Sequence, residues 1–194
     1  MSNQSNYSLY ELAKLKIHFI GVGGAGMSGI ARIMLAKGFS ISGSDKNGSA
    51  MLTSLKALGA EVFIGHAAEN LGSAQLVIIS SAISESNAEL IAAKAKGLPI
   101  VARATALAWL MSESTSVAIA GTHGKTTTTA MLTVALQSAG LDPSFAIGGT
   151  INTAGTNAHS GTGKIFVAEA DESDGSFLAY KPNGAIITNI ELDH

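Results

Sequence analysis

The sequence has no cysteine and few charged residues, and each shortage excludes a class of protein. Without cysteine the chain forms neither a disulfide framework nor a thiolate metal site, as expected for a protein of a reducing compartment. Only 13% of the 194 residues are charged, whereas 46% are hydrophobic, so little charge is available to cover a surface. Together with a mean hydropathy of +0.32, this composition predicts an exposed apolar face and a tendency to self-associate.

Basic residues are scattered along the chain, and the formal net charge is -2. A nucleic-acid-binding surface needs a clustered basic stripe, so this class of partner is excluded. The N-terminal segment "MSNQSNYSLYELAKLK" lacks the basic start and apolar centre of a secretory signal. The uncharged stretch between Asp142 and Lys164 is rich in glycine, threonine and asparagine, which indicates loops and not a membrane span. We therefore predict a cytoplasmic protein without a membrane partner.

Short β-rich runs alternate with helical patterns in the first half of the chain. The predicted strands are KIHFIG, FSISGSD, EVFIG, QLVIISS and LPIVA, and the predicted helices span residues 27–37, 50–58 and 88–96. Strands that are apolar on both faces, alternating with helices, are typical of a parallel sheet covered by helices on both sides. The sequence thus predicts an α/β, Rossmann-like parallel-sheet domain at 16–111, after a polar tail at 1–15.

A second block follows the polar segment "SESTS" at 112–116. It begins with an apolar strand, a glycine turn and a helix, and its strand-like runs lie at 117–120, 165–169 and 185–190. The segment at 148–163 is predicted as a loop. Three strands are few for an independent parallel sheet, so we expect a truncated α/β domain of the P-loop type at 112–194.

The first glycine motif is Gly21-x-Gly23-x-x-Gly26, directly after an apolar strand and before a helical pattern. This glycine spacing is typical of dinucleotide-binding sites, and it is equally compatible with a site for another ligand that carries a pyrophosphate. Asp45 ends the second predicted strand, where an acidic residue usually meets a ribose or base. The two features together support an NAD-dependent oxidoreductase as one hypothesis. His18, in the first strand, is expected at the surface, which is the commoner place for a lone histidine.

The second glycine motif, "AIAGTHGKTTTT", predicts a site for the phosphates of ATP or GTP. Gly121 and Gly124 allow a tight turn whose N–H groups form an anion nest at the start of a helix. Lys125 adds a positive charge for the β- and γ-phosphate oxygens, and the Thr126 hydroxyl is placed to bind Mg²⁺. The match to G-x-x-x-x-G-K-[ST] is imperfect because Ile119 takes the first glycine position, so a shorter loop is expected.

Acidic residues follow the strand "KIFVAEAD" at its carboxyl end. Ligands of open α/β sheets gather at such ends, and alternation places Glu169 and Asp171 on the same side of the strand. A Mg²⁺ site that faces the phosphates is one interpretation; a charged surface turn is the other. The last run, "TNIELDH", also ends in polar residues, including Asn189 and His194. For His194 the sequence by itself is a weak argument for a ligand.

Three signatures now stand in order along the chain: "HFIGVGGAGMSGIA", "AGTHGKTTTT", and "EADESDGSF" followed by "TNIELDH". Their combination closely resembles the Mur ligases of peptidoglycan synthesis, over about residues 16–194. The resemblance implies an ATP-dependent ligase that phosphorylates the lactyl carboxylate of UDP-N-acetylmuramate and lets the amine of L-alanine displace the phosphate. The wording of the last two motifs favours L-alanine addition over the recycling members, which attach a peptide to the same sugar nucleotide. Family members have a third, C-terminal domain, which we expect to be absent here.

The resemblance also implies roles for individual residues. The glycine turn of the first motif would hold the pyrophosphate of UDP instead of that of NAD, and the strand-end residues would lie on its uridine side. The implied UDP-sugar-binding residues are Gly23, Gly24, Ala25, Gly26, Met27, Ser28, Asp45, His66, Ser80 and Ser81. The implied ATP-binding residues are Gly121, Thr122, His123, Gly124, Lys125, Thr126 and Thr127. Of the implied catalytic residues, Lys125, Thr126, Glu169 and His194, the last three would also bind Mg²⁺.

Two other functions remain open at this point. An NAD-dependent oxidoreductase is weakened by the second loop, because hydride transfer has no use for a Lys-Thr pair aimed at a γ-phosphate. A non-catalytic module that binds a UDP-sugar is the other, and we expect the 194-residue chain on its own to be nearly inactive. For Arg103, a structural or surface role is favoured over a substrate contact.

Overall fold

The computed structural model describes residues 7–151, 156–170 and 176–191. The chain divides into two compact units, Met1–Ala106 and Leu107–His194. None of the helices in the described ranges is both long enough and apolar enough to cross a membrane.

The first unit is built around a five-stranded parallel sheet in the order β3-β2-β1-β4-β5. The chain adds strands in one direction from β1 and then returns to place β4 on its other side. The carboxyl ends of β1 and β4 therefore flank a topological switch point, where open α/β sheets bind their ligands. The elements are α1 (Leu9–Leu12), β1 (Lys16–Ile20), α2 (Ala25–Ala36), β2 (Ser40–Asp45), α3 (Ala50–Ala57), β3 (Glu61–Ile64), β4 (Leu76–Ile79), α4 (Ala88–Ala95) and β5 (Ile100–Ala102).

Apolar side chains bury the central strands on both faces, as the sequence predicts for a parallel sheet. Ile17, Phe19 and Ile20 of β1 have no exposed surface, and Met34 of α2 packs in the same interior. The expectation that His18 lies at the surface is wrong. Its side chain is fully buried in β1. Polar groups of other elements lie close to both of its ring nitrogens.

The predicted polar tail contains one ordered turn among its described residues. Ser8 and Glu11 form a reciprocal capping box that starts α1, and Leu9 and Leu12 are buried. This short helix therefore adds apolar surface to the first unit.

The second unit also has a five-stranded sheet, in the order β10-β6-β9-β7-β8. All neighbouring pairs are parallel except β7 with β8, which is antiparallel. The α/β class is thus confirmed, with a mixed sheet in this unit. Helix α5 (Arg103–Ser112) crosses the division between the units. The elements that follow it are β6 (Thr115–Ala120), α6 (Lys125–Ser138), β7 (Ser144–Ile151), β8 (Thr156–His159), β9 (Ile165–Glu169) and β10 (Gly184–Ile187).

Two sequence expectations about the second unit are wrong. The segment predicted as a loop at 148–163 contains the end of β7 and all of β8. Its glycine and threonine content suggests a loop, whereas the strand is defined by pairing with β7, in which Phe145 lies opposite His159 and Ala146 opposite Ala158. The strand predicted at 185–190 ends at Ile187, because Thr188 and Asn189 turn to bond a neighbouring loop.

β10 lies at the edge of the sheet among the strands that the structure describes. Ile187 and Ile190 expose 60% and 84% of their surface. These side chains give the second unit the exposed apolar surface that the composition predicts.

Candidate nucleotide-binding sites

The first glycine loop connects the carboxyl end of β1 to α2. Gly21 has φ +84°, a left-handed conformation that favours glycine. The N-cap of α2 is Gly24, which has no side chain to bond the first-turn N–H groups of the helix. Those groups, together with the helix dipole, form a site suited to an anion such as a pyrophosphate.

Asp45 is held directly against this loop. Its Oδ2 accepts a hydrogen bond from Gly23 N at 2.9 Å. A Cβ on Gly23 would lie 2.8 Å from that oxygen and 2.8 Å from Leu52 Cδ1, so the close approach of the carboxylate requires glycine at this position. The sequence placed Asp45 near a ligand, and the structure adds that it fixes the loop itself.

A cleft of about 450 Å³ opens beside the loop at the switch point. Four of the predicted UDP-sugar residues line it together: Gly24, Asp45, His66 and Ser80. Ser81 does not line the cleft. The geometry therefore gathers residues from the ends of β1, β2, β3 and β4 at one place, as expected for a parallel sheet.

The remaining predicted residues of this loop contribute backbone instead of side chains. Met27 and Ser28 are buried, and Ser28 Oγ donates to Ala25 O at 3.0 Å. A Cβ on Gly26 would lie 2.9 Å from Arg103 Nη1, so the Arg103 guanidinium packs on the first turn of α2. A ligand of the loop would meet Gly26 and Met27 through their N–H groups, whereas Ser28 N already donates to Gly24 O at 2.8 Å.

Sequence reasoning missed Glu89, in the first turn of α4. An acidic residue there usually reads as a surface charge that complements the helix dipole, but Glu89 is fully buried. Burial by itself raises the pKa of Glu89, but the polar groups of His18, Ser44 and Asn70 around the carboxylate outweigh this and lower the pKa to about 2. Glu89 is therefore ionised at neutral pH, next to the cleft-lining His66.

The second glycine loop connects β6 to α6. Gly121 has φ +133° and Gly124 has φ +84°. Residues after β10 hold this loop: His123 N donates to Asn189 Oδ1 at 2.9 Å, Thr122 N to Asn189 O at 3.4 Å, and Thr188 Oγ1 to His123 O at 2.6 Å. We call these three bonds the Thr188–Asn189 clamp.

The clamp changes which N–H groups can serve the predicted anion nest. The amides of Thr122 and His123 are already occupied, so an anion is left with the first turn of α6, whose N-cap Gly124 carries no capping side chain. Lys125 Nζ donates to Gly121 O at 2.6 Å and to Thr122 O at 3.3 Å. The charged end of this side chain therefore lies against the loop. Thr126 and Thr127 are exposed on that first turn.

Glu169 ends β9 on the strand adjacent to this loop, paired in register with Ile119 of β6. Its Oε2 accepts from Gly148 N at 3.0 Å. Its Oε1 is buried, and no described residue bonds it. A buried carboxylate oxygen without a partner is a fitting ligand for Mg²⁺, which prefers oxygen donors.

One member of the predicted metal set, His194, lies outside the described residues, as do the acidic residues that follow β9, Asp171, Glu172 and Asp174. Within the described ranges, no three His, Cys, Asp or Glu side chains are grouped as a metal site. Glu169 and Thr126 thus fit the prediction in chemistry, and the complete ligand set stays a prediction.

Alanine in place of Gly23 is expected to lower the free energy of unfolding by about 1 to 3 kcal/mol, because the new methyl group must displace Asp45 from the loop. Gly24→Ala is the matched control, since the nearest atom to its Cβ would be Gly21 O at an ordinary 3.7 Å. Urea unfolding of both variants measures the difference. Equal losses in the two variants would contradict this role of Gly23.

Comparison with known proteins shows extensive similarity to peptidoglycan ligases. Curated relatives called UDP-N-acetylmuramate–L-alanine ligase include those of Renibacterium salmoninarum, 61% identical over 179 residues, and Saccharopolyspora erythraea, 56% identical over 183 residues. Each alignment covers 92% of this chain, but only 38% and 37% of the relative. The chain thus spans well under half of the length of these relatives.

Solved structures agree with the fold. A UDP-N-acetylmuramate–alanine ligase from Thermotoga maritima matches with a TM-score of 0.85 at 34% identity, over 93% of this chain and 42% of that one. A UDP-N-acetylmuramate:L-alanyl-γ-D-glutamyl-meso-diaminopimelate ligase from Neisseria meningitides matches with 0.84 at 35% identity, over 93% and 62%. The model of the Mur ligase family, catalytic domain, matches residues 16–115, just over half of the chain. With both glycine loops in place, this match shows that the chain belongs to the Mur ligase family.

Proposed function

We propose that the protein represented by this chain joins L-alanine to the lactyl carboxylate of UDP-N-acetylmuramate, using ATP. One observation carries the proposal. Each unit presents a glycine loop at the carboxyl end of a parallel strand, followed by a helix whose N-cap is a glycine without a capping side chain. Two such anion sites suit a reaction with two phosphate-bearing substrates, and the names of the relatives, which contain UDP-N-acetylmuramate, support the choice of the first.

In this proposal the first unit, predicted to span 16–111, binds the UDP-sugar. The first turn of α2 receives the pyrophosphate, since its N–H groups lack a side-chain cap. The cleft lined by Asp45, His66 and Ser80 receives the nucleoside. What the protein contributes here is orientation, which places the lactyl carboxylate for phosphorylation.

The second unit, predicted to span 112–194, binds ATP and supports transfer of its γ-phosphoryl group. The carboxylate oxygen attacks the γ-phosphorus and ADP leaves, which gives an acyl phosphate. The amine of L-alanine then attacks the acyl carbon, the C–N bond forms, and inorganic phosphate leaves. Lys125 and the first turn of α6 neutralise charge on the phosphoryl oxygens, which is the main protein contribution in phosphoryl transfer.

In this proposal Thr126, Glu169 and His194 would hold a Mg²⁺ ion. When bound, the ion would neutralise charge on the phosphate oxygens. Glu169 supports this assignment with its buried, unbonded Oε1.

Two features of the wider prediction are part of this proposal. We place the reaction in the cytoplasm, and we expect the second unit to self-associate through exposed side chains such as Ile187 and Ile190.

Peptide addition by a recycling ligase is the second candidate function, favoured by the structural match to the Neisseria protein. The higher identity to relatives called L-alanine ligases supports L-alanine instead.

Calorimetric titration of the 194-residue chain with UDP-N-acetylmuramate tests the first half of the proposal, with NAD⁺ as the parallel titrant. Saturable binding of the UDP-sugar alone is expected. Binding of NAD⁺ alone would overturn the proposed function, because the first loop would then serve a redox cofactor.

Lys125→Ala is expected to weaken ATP binding by about 10-fold or more, because one of the charges that face the phosphates is lost. Its affinity for the UDP-sugar is expected to be unchanged, since the first loop lies in the other unit. Lys164→Ala removes an exposed lysine of the same unit and is the control. If Lys125→Ala and Lys164→Ala bind ATP equally well, the second loop is not the phosphate site.

A further inference from the structure

A buried polar cluster adjoins the cleft of the first unit. It consists of His18, Ser44, His66, Asn70 and Glu89, which we call the Glu89 cluster. Glu89, His18 and Ser44 are fully buried, and His66 keeps 20% of its side chain exposed where it lines the cleft. The proposed reaction assigns no role to the carboxylate at its centre.

The hydrogen bonds around Glu89 can be assigned one by one. Its Oε1 accepts from Asn70 Nδ2 at 2.6 Å and from Ala67 N at 3.4 Å. Its Oε2 accepts the Ser44 hydroxyl hydrogen. His18 approaches from β1, with Nε2 at 3.7 Å from Oε2, beyond hydrogen-bond distance.

His66 Nδ1 lies 3.0 Å from Ser44 Oγ and 3.2 Å from Glu89 Oε2. A hydroxyl has one hydrogen, and that of Ser44 is already donated to Glu89. An ionised carboxylate has none. The hydrogen between His66 and these two oxygens must therefore reside on Nδ1.

A neutral imidazole that carries its hydrogen on Nδ1 has a lone pair on Nε2. Among the described residues no group bonds His66 Nε2, and this atom is not buried. The charged side chains that share the cleft are Asp45 and Lys46. The His66 edge of the cleft is thus a hydrogen-bond acceptor, like the Asp45 carboxylate.

We propose that Glu89 is a positioning residue that fixes His66 in its Nδ1–H tautomer, so that Nε2 accepts a hydrogen bond from an N–H or O–H group of the bound nucleoside. Glu89 acts through His66 and does not touch the ligand. The identity of the ligand rests on the proposed function, whereas the tautomer depends only on the Glu89 cluster. The cleft thereby favours a ligand that presents hydrogen-bond donors at this edge.

Nitrogen NMR of the imidazole rings in the ¹⁵N-labelled chain at pH 8 tests the tautomer directly. The wild type is expected to show His66 protonated at Nδ1 and unprotonated at Nε2. A hydrogen on Nε2, in the neutral ring or in the imidazolium, would overturn the proposal. This measurement needs no variant, so it stands even if substitutions in the Glu89 cluster impair folding.

Glu89→Gln is expected to reverse the tautomer. Asn70 and Ala67 both donate at Oε1, so the amide oxygen must take that place and the NH₂ group must face Ser44 and His66. A donor there turns Nδ1 into an acceptor and moves the hydrogen to Nε2. Glu85→Gln, at a glutamate with 83% exposure, is the control and should leave the His66 resonances unchanged. An Nδ1–H ring in Glu89→Gln would contradict the proposal.

UDP titrations then connect the tautomer to binding. Glu89→Gln and His66→Ala are each expected to weaken UDP binding by about 10-fold, and the double variant is expected to bind no more weakly than His66→Ala. A further loss in the double variant would show that Glu89 acts independently of His66, and would overturn the proposal. If the wild type does not bind UDP at all, the proposed function and the ligand contact both fail, and the NMR result alone decides whether Glu89 positions His66.

Discussion

Gly121→Ala is expected to destabilise the chain by about 3 kcal/mol and to weaken ATP binding by about 10-fold or more. The Cβ of an alanine there would overlap Thr188 Oγ1, and backbone atoms of Asn189 would be 2.9 and 3.0 Å away. Backbone cannot yield as a flexible side chain does. The φ of +133° adds strain for any residue with a side chain. Urea unfolding and ATP titration measure the two effects.

Gly124→Ala is the matched control for this variant. Gly124 also has a left-handed φ, but its nearest contacts would be Thr188 Cβ and Cγ2 at 3.8 Å. The expected cost is about 1 kcal/mol, from backbone strain without a collision. If both variants lose the same stability, the Thr188–Asn189 clamp does not explain why position 121 is glycine.

Glu89→Ala is expected to lower the free energy of unfolding by about 3 to 5 kcal/mol at pH 7. The loss leaves the donors of Ser44, Asn70 and His66 without their acceptor inside the protein. Glu85→Ala is the control, because its side chain is exposed and its ion pair with Lys94 lies at the surface. Such pairs contribute about 1 kcal/mol or less. Comparable losses in the two variants would contradict the central role of Glu89.

The acid dependence of this difference has a definite sign. The pKa of Glu89 is lowered from 4.5 to about 2 in the folded chain, so ionisation stabilises the fold fully above pH 4.5. That stabilisation is lost as the pH falls from 4.5 towards 2. Wild type and Glu89→Ala are therefore expected to differ most at neutral pH and to converge in acid, as urea unfolding at several pH values would measure. A difference that grows below pH 4 would contradict the assignment.

The first unit could be predicted closely because its strands carry continuous apolar runs and its helices follow clear turns. β1 and α2, for example, lie within two residues of the expected positions. α5 was not predicted, because Arg103 begins the helix directly after β5 without a capping or turn residue. β8 was missed for a related reason: four residues of mixed polarity give no measurable period, and only pairing with β7 defines the strand.

For the candidate sites, local signals sufficed where the ligand is expected to meet backbone. Glycines at both loops mark places where the chain must turn or approach closely, and Gly23 and Gly121 do so. Residues that support the candidate sites from a distance in sequence were not predictable. Glu89 reaches Ser44 across 45 positions and Thr188 reaches His123 across 65, and neither has a motif of its own.

The Thr188–Asn189 clamp decides what hydrogen exchange can report in the second unit. The amides of Thr122 and His123 are bonded to Asn189 before any nucleotide arrives, so slow exchange there measures how often the segment after β10 detaches. Slower exchange on adding ATP should instead appear at Thr126 and Thr127, in the uncapped first turn of α6. An exchange experiment that averages over the whole loop would merge these two processes, and only single-residue resolution separates occupancy of the site from opening of its support.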